Sequence, residues 1–123
     1  MSLNEILENV TARTAKGFEA KVKAALEASD DVDRVIRMDY KNRMPDFLVL
    51  NHGGKAYFVE CKNYPSVKSL SHGLGKWMRQ QAHQYEAFQD LADTQCVYLV
   101  MHTKGGTRAV EIEPSEKVEW TLS

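Results

Sequence analysis

Asp46, Glu60 and Lys62 are the residues of this chain whose types and spacing suit them to chemistry. They fall on two β-rich runs, "DFLVLNH" and "KAYFVECK", joined through Gly53-Gly54. A glycine pair supplies the positive φ that a hairpin turn demands, so the runs read as two antiparallel strands. Side chains two apart in a strand share a face. Phe58, Glu60 and Lys62 therefore point one way, and Tyr57, Val59 and Cys61 the other. If His52, Gly53 and Gly54 form a three-residue loop, Asn51 pairs with Lys55, and counting back along both strands sets Asp46 opposite Glu60. A two-residue turn would slip the register by one and carry Asp46 to the wrong side. Directly opposed side chains have Cβ atoms about 4.5 to 5.5 Å apart, where two like charges destabilise the sheet unless something compensates. Two compensations are open. Lys62 neutralises one carboxylate while the other lies at a solvated sheet edge, or a hard divalent cation such as Mg²⁺ or Mn²⁺ takes both carboxylates and keeps some of its waters.

The elements that must position these residues follow from periodicity. Ala15, Phe18, Val22, Ala25 and Leu26 recur at helical spacing and predict a helix from about Thr11 to Ala28, ended by the turn-rich "SDDVD". "DRVIRMD" supplies a first strand ahead of the hairpin. "NYPSVKSLSHGLG", Asn63 to Gly75, reads as a loop of a length usually kept for function. A helix from Lys76 to Ala92 follows, with an apolar stripe of Trp77, Met78, Tyr85, Phe88 and Leu91 interrupted by Gln81. "CVYLVMHT" has the continuous apolar pattern of a strand buried on both faces. "TRAVEIE" is its partner across Lys104 to Gly106, and "KVEWTL" adds a last edge strand. The order α-β-β-β-α-β-β describes an α/β fold, a central mixed β-sheet flanked by helices.

Composition narrows the class. A chain of 123 residues with 43% hydrophobic and 27% charged residues has the make-up of one soluble globular domain, spanning 1–123. It has neither an apolar run near the ~20 residues of a membrane span nor a secretory leader, which points to the cytoplasm and away from membranes. Cys61 and Cys96 lack the spacing of a zinc or redox motif and read as buried free thiols, and the four histidines form no zinc set. Trp77 and Trp120 read as packing residues. The net charge of −1 hides an asymmetry. Cys61 to Tyr85 contains no acid, while Lys62, Lys68, Lys76 and Arg79 are basic, so one face can be positive although the sum is not.

Pro45-Asp46 followed by Glu60-Cys61-Lys62 resembles the P-D…(D/E)-x-K signature of the PD-(D/E)xK nuclease superfamily, and "FLVL" and "AYFV" flank it as that signature sits on two adjacent strands. "KGFEAKVKAAL", Lys16 to Leu26, resembles the first helix of archaeal-type Holliday-junction resolvases, where a glutamate near a Lys-Gly pair reaches the metal site; Glu19 is the matching position. "QAHQY", Gln81 to Tyr85, resembles the Q-x-x-x-Y motif of several nucleases in the group. The similarity spans roughly Lys16 to Met101. It implies a restriction-endonuclease-like fold and a Mg²⁺- or Mn²⁺-dependent endonuclease, commonly a homodimer, that cuts branched or duplex DNA in repair or recombination. By the same resemblance Asp46, Glu60, the main-chain carbonyl of Cys61 and Glu19 hold metal. Lys62 serves the transition state, Gln81 supports catalysis, and Lys68, Lys76, Arg79 and Tyr85 meet the nucleic acid, with a path over Arg37, Lys41 and Arg43 as the alternative. A virus-type replication-repair nuclease of phage origin and a non-catalytic nucleic-acid-binding domain of the same fold remain as rival readings.

Overall fold

The apolar spacing noted above builds α2, Ala15–Glu27, and buries Phe18, Val22 and Leu26 completely. Its start is fixed by Thr14, which adopts an extended backbone and accepts the Gly17 N–H on its hydroxyl at 3.0 Å, so the helix begins later than Thr11. The structure, a computed structural model, describes residues 1–38 and 44–115. Beyond α2 it contains β1 Val32–Arg37, β2 Phe47–Asn51 and β3 Ala56–Asn63, then α3 Leu70–Gln80 and α4 Ala82–Ala92, and finally β4 Val97–Thr103 and β5 Gly106–Glu111. A short α1, Leu3–Leu7, precedes them all.

β2 and β3 pair with Phe47 opposite Val59 and Leu50 opposite Ala56. The loop is therefore the three-residue one, closed by the Asn51 N–H donating to the Lys55 carbonyl at 2.8 Å, with Gly54 at φ +83°. β1 lies antiparallel on the far side of β2. β4 runs parallel to β3, from Phe58 opposite Val97 to Asn63 opposite His102, and α3 and α4 form the crossover that a parallel pair requires. β5 returns antiparallel to β4, giving a mixed sheet in the order β1-β2-β3-β4-β5.

The two faces of the sheet carry separate cores. Leu7, Phe18, Val22 and Leu26 from the first two helices pack with Val35, Phe47, Val49, Val59 and Cys61. Trp77 and Phe88 from the last two pack with Val97, Leu99 and Met101. Val100 belongs to the first core and its neighbours Leu99 and Met101 to the second, so β4 is buried on both faces as its sequence pattern requires.

Four expectations are corrected. No element was expected before Thr11, yet Ser2 caps α1 in a reciprocal capping box with Glu5, and Leu7 is fully buried. The side-chain amide of Asn4 exchanges two hydrogen bonds with the Ala109 backbone, at 2.8 and 3.3 Å, which covers part of the β5 edge. Second, the stretch Asn63 to Gly75 is not one loop: Ser69 caps α3, and the glycine at 73 lies against Met101, where an added Cβ would collide with the sulfur. That glycine permits close helix-strand contact where the sequence reads as loop punctuation. Third, the helix expected from Lys76 to Ala92 breaks at Gln81, whose backbone (φ −131°, ψ 49°) is not helical. Fourth, Cys96 is an exposed free thiol, while Cys61 is buried as expected. The order over the described residues is α-α-β-β-β-α-α-β-β. "KVEWTL" with Trp120, and Lys41 and Arg43, lie outside the described residues. No helix among those described is long and apolar enough to cross a membrane.

Candidate active site

The register that the hairpin turn sets brings Asp46, just ahead of β2, alongside Glu60 near the end of β3. Each carboxylate is tied to the other strand. Glu60 Oε1 accepts the Asp46 N–H at 3.1 Å, and Asp46 Oδ2 accepts the Cys61 N–H at 2.8 Å. Glu60 is only 4% exposed. Its second oxygen, Oε2, pairs with Lys62 Nζ at 3.1 Å, the co-facial neighbour that strand alternation puts there. Lys62 Nζ also donates to Gln81 Oε1 at 2.8 Å. The break between α3 and α4 thus sits at the residue that holds the lysine.

Glu19 reaches the margin of this cluster from α2, where it accepts a hydrogen bond from Arg37 Nη1 at 3.4 Å. The guanidinium of Arg37 lies over the Phe47 ring, 5.4 Å from its centroid, which fixes it beside the start of β2.

All three acids hold their protons more tightly than free carboxyls do. Burial raises Glu60 most, the neighbouring Asp46 charge adds to it, and Lys62 offsets only part, leaving the group at about 8. Asp46 is raised by burial against the opposing pull of the Cys61 N–H and of Lys62. Glu19 is raised by burial and then by Asp46, with Arg37 acting the other way. Among the described residues, the two cations at this cluster, Lys62 and Arg37, do not balance the three carboxyls. Such a site gains from an added cation, which favours the ionised form of every acid around it.

Among the described residues, no group of three His, Cys, Asp or Glu side chains is placed to hold a metal ion by itself. Mg²⁺ asks for less, since it is commonly bound through one or two carboxylates and retains several waters. Asp46 and Glu60 are two such carboxylates, with both Glu60 oxygens engaged by the Asp46 N–H and by Lys62, and Glu19 stands as the neighbour bound to Arg37. Burial, with the charges of Asp46, Glu60 and Glu19, pushes the Cys61 thiol well up, so its sulfur is no thiolate ligand and only its main chain can serve.

Of the residues expected to meet nucleic acid, Lys68 and Arg79 are exposed. Lys76 is partly buried, with its ammonium 4.9 Å from the centroid of the Tyr64 ring. Tyr85 is turned into the second core, its ring 5.4 Å from that of Trp77 and its hydroxyl accepting from Gln89. The structure therefore gathers Asp46, Glu60, Cys61, Lys62 and Gln81, sets Glu19 at the edge, and does not bring Tyr85 to them. The Arg37–Glu19 pair was not foreseen, and neither was the contact of Asn63 Oδ1 with His102 Nδ1 at 2.6 Å. Asn63 directly follows Lys62 on β3, the one signal that could have singled it out. The chain matches no protein-family model, no curated protein and no solved structure.

Proposed function

We propose that this chain is a divalent-metal-dependent endonuclease of the PD-(D/E)xK type, with a restriction-endonuclease-like arrangement of its sheet and helices, that hydrolyses phosphodiester bonds of branched DNA. The observation that carries the reading is the linked set Asp46, Glu60, Lys62 and Gln81. Two acids are held by each other's strands at the cost of mutual repulsion, and a nearly buried lysine is fixed beside them. An arrangement that only stabilised the fold would be served as well by an uncharged acceptor in place of one acid, without the repulsion.

Mg²⁺ or Mn²⁺, held by Asp46, Glu60 and the main-chain carbonyl of Cys61, would polarise the phosphate and lower the pKa of a bound water. The protein's own part is electrostatic and positional. Lys62 Nζ, anchored by Glu60 and Gln81, presents a fixed positive charge where negative charge grows on the phosphoryl oxygens. The Cys61 N–H orients Asp46 through Oδ2, and the Asp46 N–H orients Glu60 through Oε1. Because Glu60 holds a proton up to about pH 8 even with Lys62 beside it, a metal ion bound there would have to displace that proton and would bind more strongly as the pH rises. Lys68 and Arg79 are exposed cations available to the DNA backbone. A substrate with two-fold symmetry calls for two copies of the chain, each cutting one strand.

The test is cleavage of labelled four-way junction, flap, duplex and single-stranded DNA. Cleavage of a branched substrate is expected in Mg²⁺ and not in EDTA. A chain that binds these DNAs yet cuts none of them in Mg²⁺ or Mn²⁺ is a binding domain, and the proposal fails.

A further inference from the structure

The parallel strands β3 and β4 end at Asn63 and Thr103, and beside these ends α2, the segment leading into it and the turn after β3 enclose an open groove of about 770 Å³. Open α/β sheets take their ligands outside the carboxyl ends of parallel strands, so this is where a ligand is to be sought. The groove is lined by Arg13, Lys21, Gly17 and His102 among others, and among the described residues that line it none is acidic. That is notable in a chain with 16 Lys and Arg against 17 Asp and Glu.

Its walls are tied together. Lys21 Nζ donates to the Thr11 carbonyl at 2.7 Å, which holds the ammonium at the groove. Asn63 joins the other side, with Nδ2 donating to the Ala12 carbonyl at 3.2 Å and Oδ1 meeting His102 Nδ1 at 2.6 Å. The His102 ring stacks on Phe18 at 5.8 Å and its Nδ1 donates to Asn63 Oδ1, which together fix the ring in the groove wall. Gly17 keeps the helix surface low there: a Cβ would stand 2.9 Å from Thr14 Oγ1.

The groove shares two elements with the candidate active site but none of its lining residues: Asn63 is next to Lys62 on β3, on the other face of the strand, and Gly17 and Lys21 lie within a turn of Glu19 on α2. A nucleic acid whose scissile phosphate lay at Asp46 and Glu60 would reach the groove by passing around the end of β3 and along α2. We infer that this groove seats backbone phosphates flanking the cleaved one, with Arg13 and Lys21 as the charged contacts and His102 at its wall. The inference rests on the nuclease reading and adds a DNA path that the basic stretch between Cys61 and Tyr85 does not supply.

The experiment is fluorescence anisotropy of a labelled duplex and a labelled four-way junction, with Ca²⁺ in place of Mg²⁺, across a salt series. The chains compared are the parent and the double variant Arg13→Gln/Lys21→Gln. Both side chains are exposed, so the variant should fold, which its melting curve checks. Each lost phosphate contact removes about 0.9 from the slope of log affinity against log salt on duplex, so the variant's slope should be shallower by roughly two, alike on every sequence. As a second readout on the parent, the amide resonance of Gly17 should shift on adding duplex. Parent affinity and slope in the variant, with a parent that binds and cleaves DNA, overturn the groove and leave the nuclease reading standing. Binding that needs Arg13 and Lys21 in a parent that cleaves nothing supports the groove and overturns the nuclease reading. A parent that binds no DNA overturns both.

Discussion

Lys62→Ala is expected to slow DNA cleavage about 100- to 1,000-fold, the effect of removing one positioned electrostatic donor, while affinity for DNA changes by no more than roughly threefold. The lysine is poorly placed to be an outer phosphate anchor. Its side chain is 14% exposed and its ammonium already spans Glu60 Oε2 and Gln81 Oε1. What it can offer is a charge fixed before the reaction begins, which matters when the phosphoryl oxygens become more negative than in the ground state. Removing it has a second effect, because Lys62 is the cation that offsets the burial of Glu60, and without it the acid holds its proton still more tightly. A pH profile separates the two. A rate lost only through Glu60 protonation recovers as the pH rises, whereas lost transition-state stabilisation does not. Single-turnover cleavage at saturating enzyme decides the rest: a rate that stays slow supports the transition-state role, and a restored rate makes Lys62 a phosphate anchor.

Glu60→Gln should abolish cleavage and yet make the metal-free protein more stable in alkaline solution. The unfolded acid titrates at its ordinary value of 4.5, and the folded one at about 8. Between those values the folded state keeps a proton that the unfolded state has released. Glu60 therefore costs nothing below pH 4.5, and stability falls as the pH rises through 8. Glutamine has the same shape and does not titrate, and its single oxygen can still accept the Asp46 N–H while Lys62 keeps Gln81 as its partner in place of Glu60. At pH 9 the variant should melt roughly 10 °C above the parent, a difference on the order of a few kcal/mol. Added Mg²⁺ should raise the parent's melting temperature and close much of that gap, since an ion bound only by the folded state stabilises it. Some decline with pH remains in the variant, because Asp46 and Glu19 are raised in the same direction. Parallel pH profiles for the two proteins would mean that Lys62 fully compensates Glu60 and that the acid pair carries no stored repulsion.

What could be read in the sequence was local. The glycines after His52 fixed a register, strand alternation made Glu60 and Lys62 co-facial, and the pairs actually formed are those that counting from the turn requires. What could not be read depends on contacts across the fold. α1 has five residues and a single fully buried side chain, and it owes its place to Asn4 on the β5 backbone and to Leu7 in the core. α3 was hidden because Gly73 serves the approach to Met101, a neighbour far along the chain. No proline or glycine announced the break at Gln81, although the interruption of the apolar stripe there marked the residue that reaches Lys62. In the site, Asp46, Glu60, Lys62 and Gln81 were legible because the hairpin and one motif carry them. Arg37 meets Glu19 only through tertiary packing. Arg13 and Lys21 escaped notice for a different reason: ahead of Pro45 there are eight Lys and Arg among eight Asp and Glu, so no basic run stands out until folding gathers two of them at a groove without acids.

The most direct measurement is nicking of supercoiled plasmid by the parent and by Asp46→Asn, each in Mg²⁺ and in EDTA. Asparagine can still accept the Cys61 N–H, so the variant should keep its fold and lose only the charge. Open-circular plasmid is expected from the parent in Mg²⁺ alone. Intact plasmid after incubation with the parent in Mg²⁺ and again in Mn²⁺, or equal nicking by Asp46→Asn, would contradict a metal-dependent phosphodiesterase built on Asp46 and Glu60.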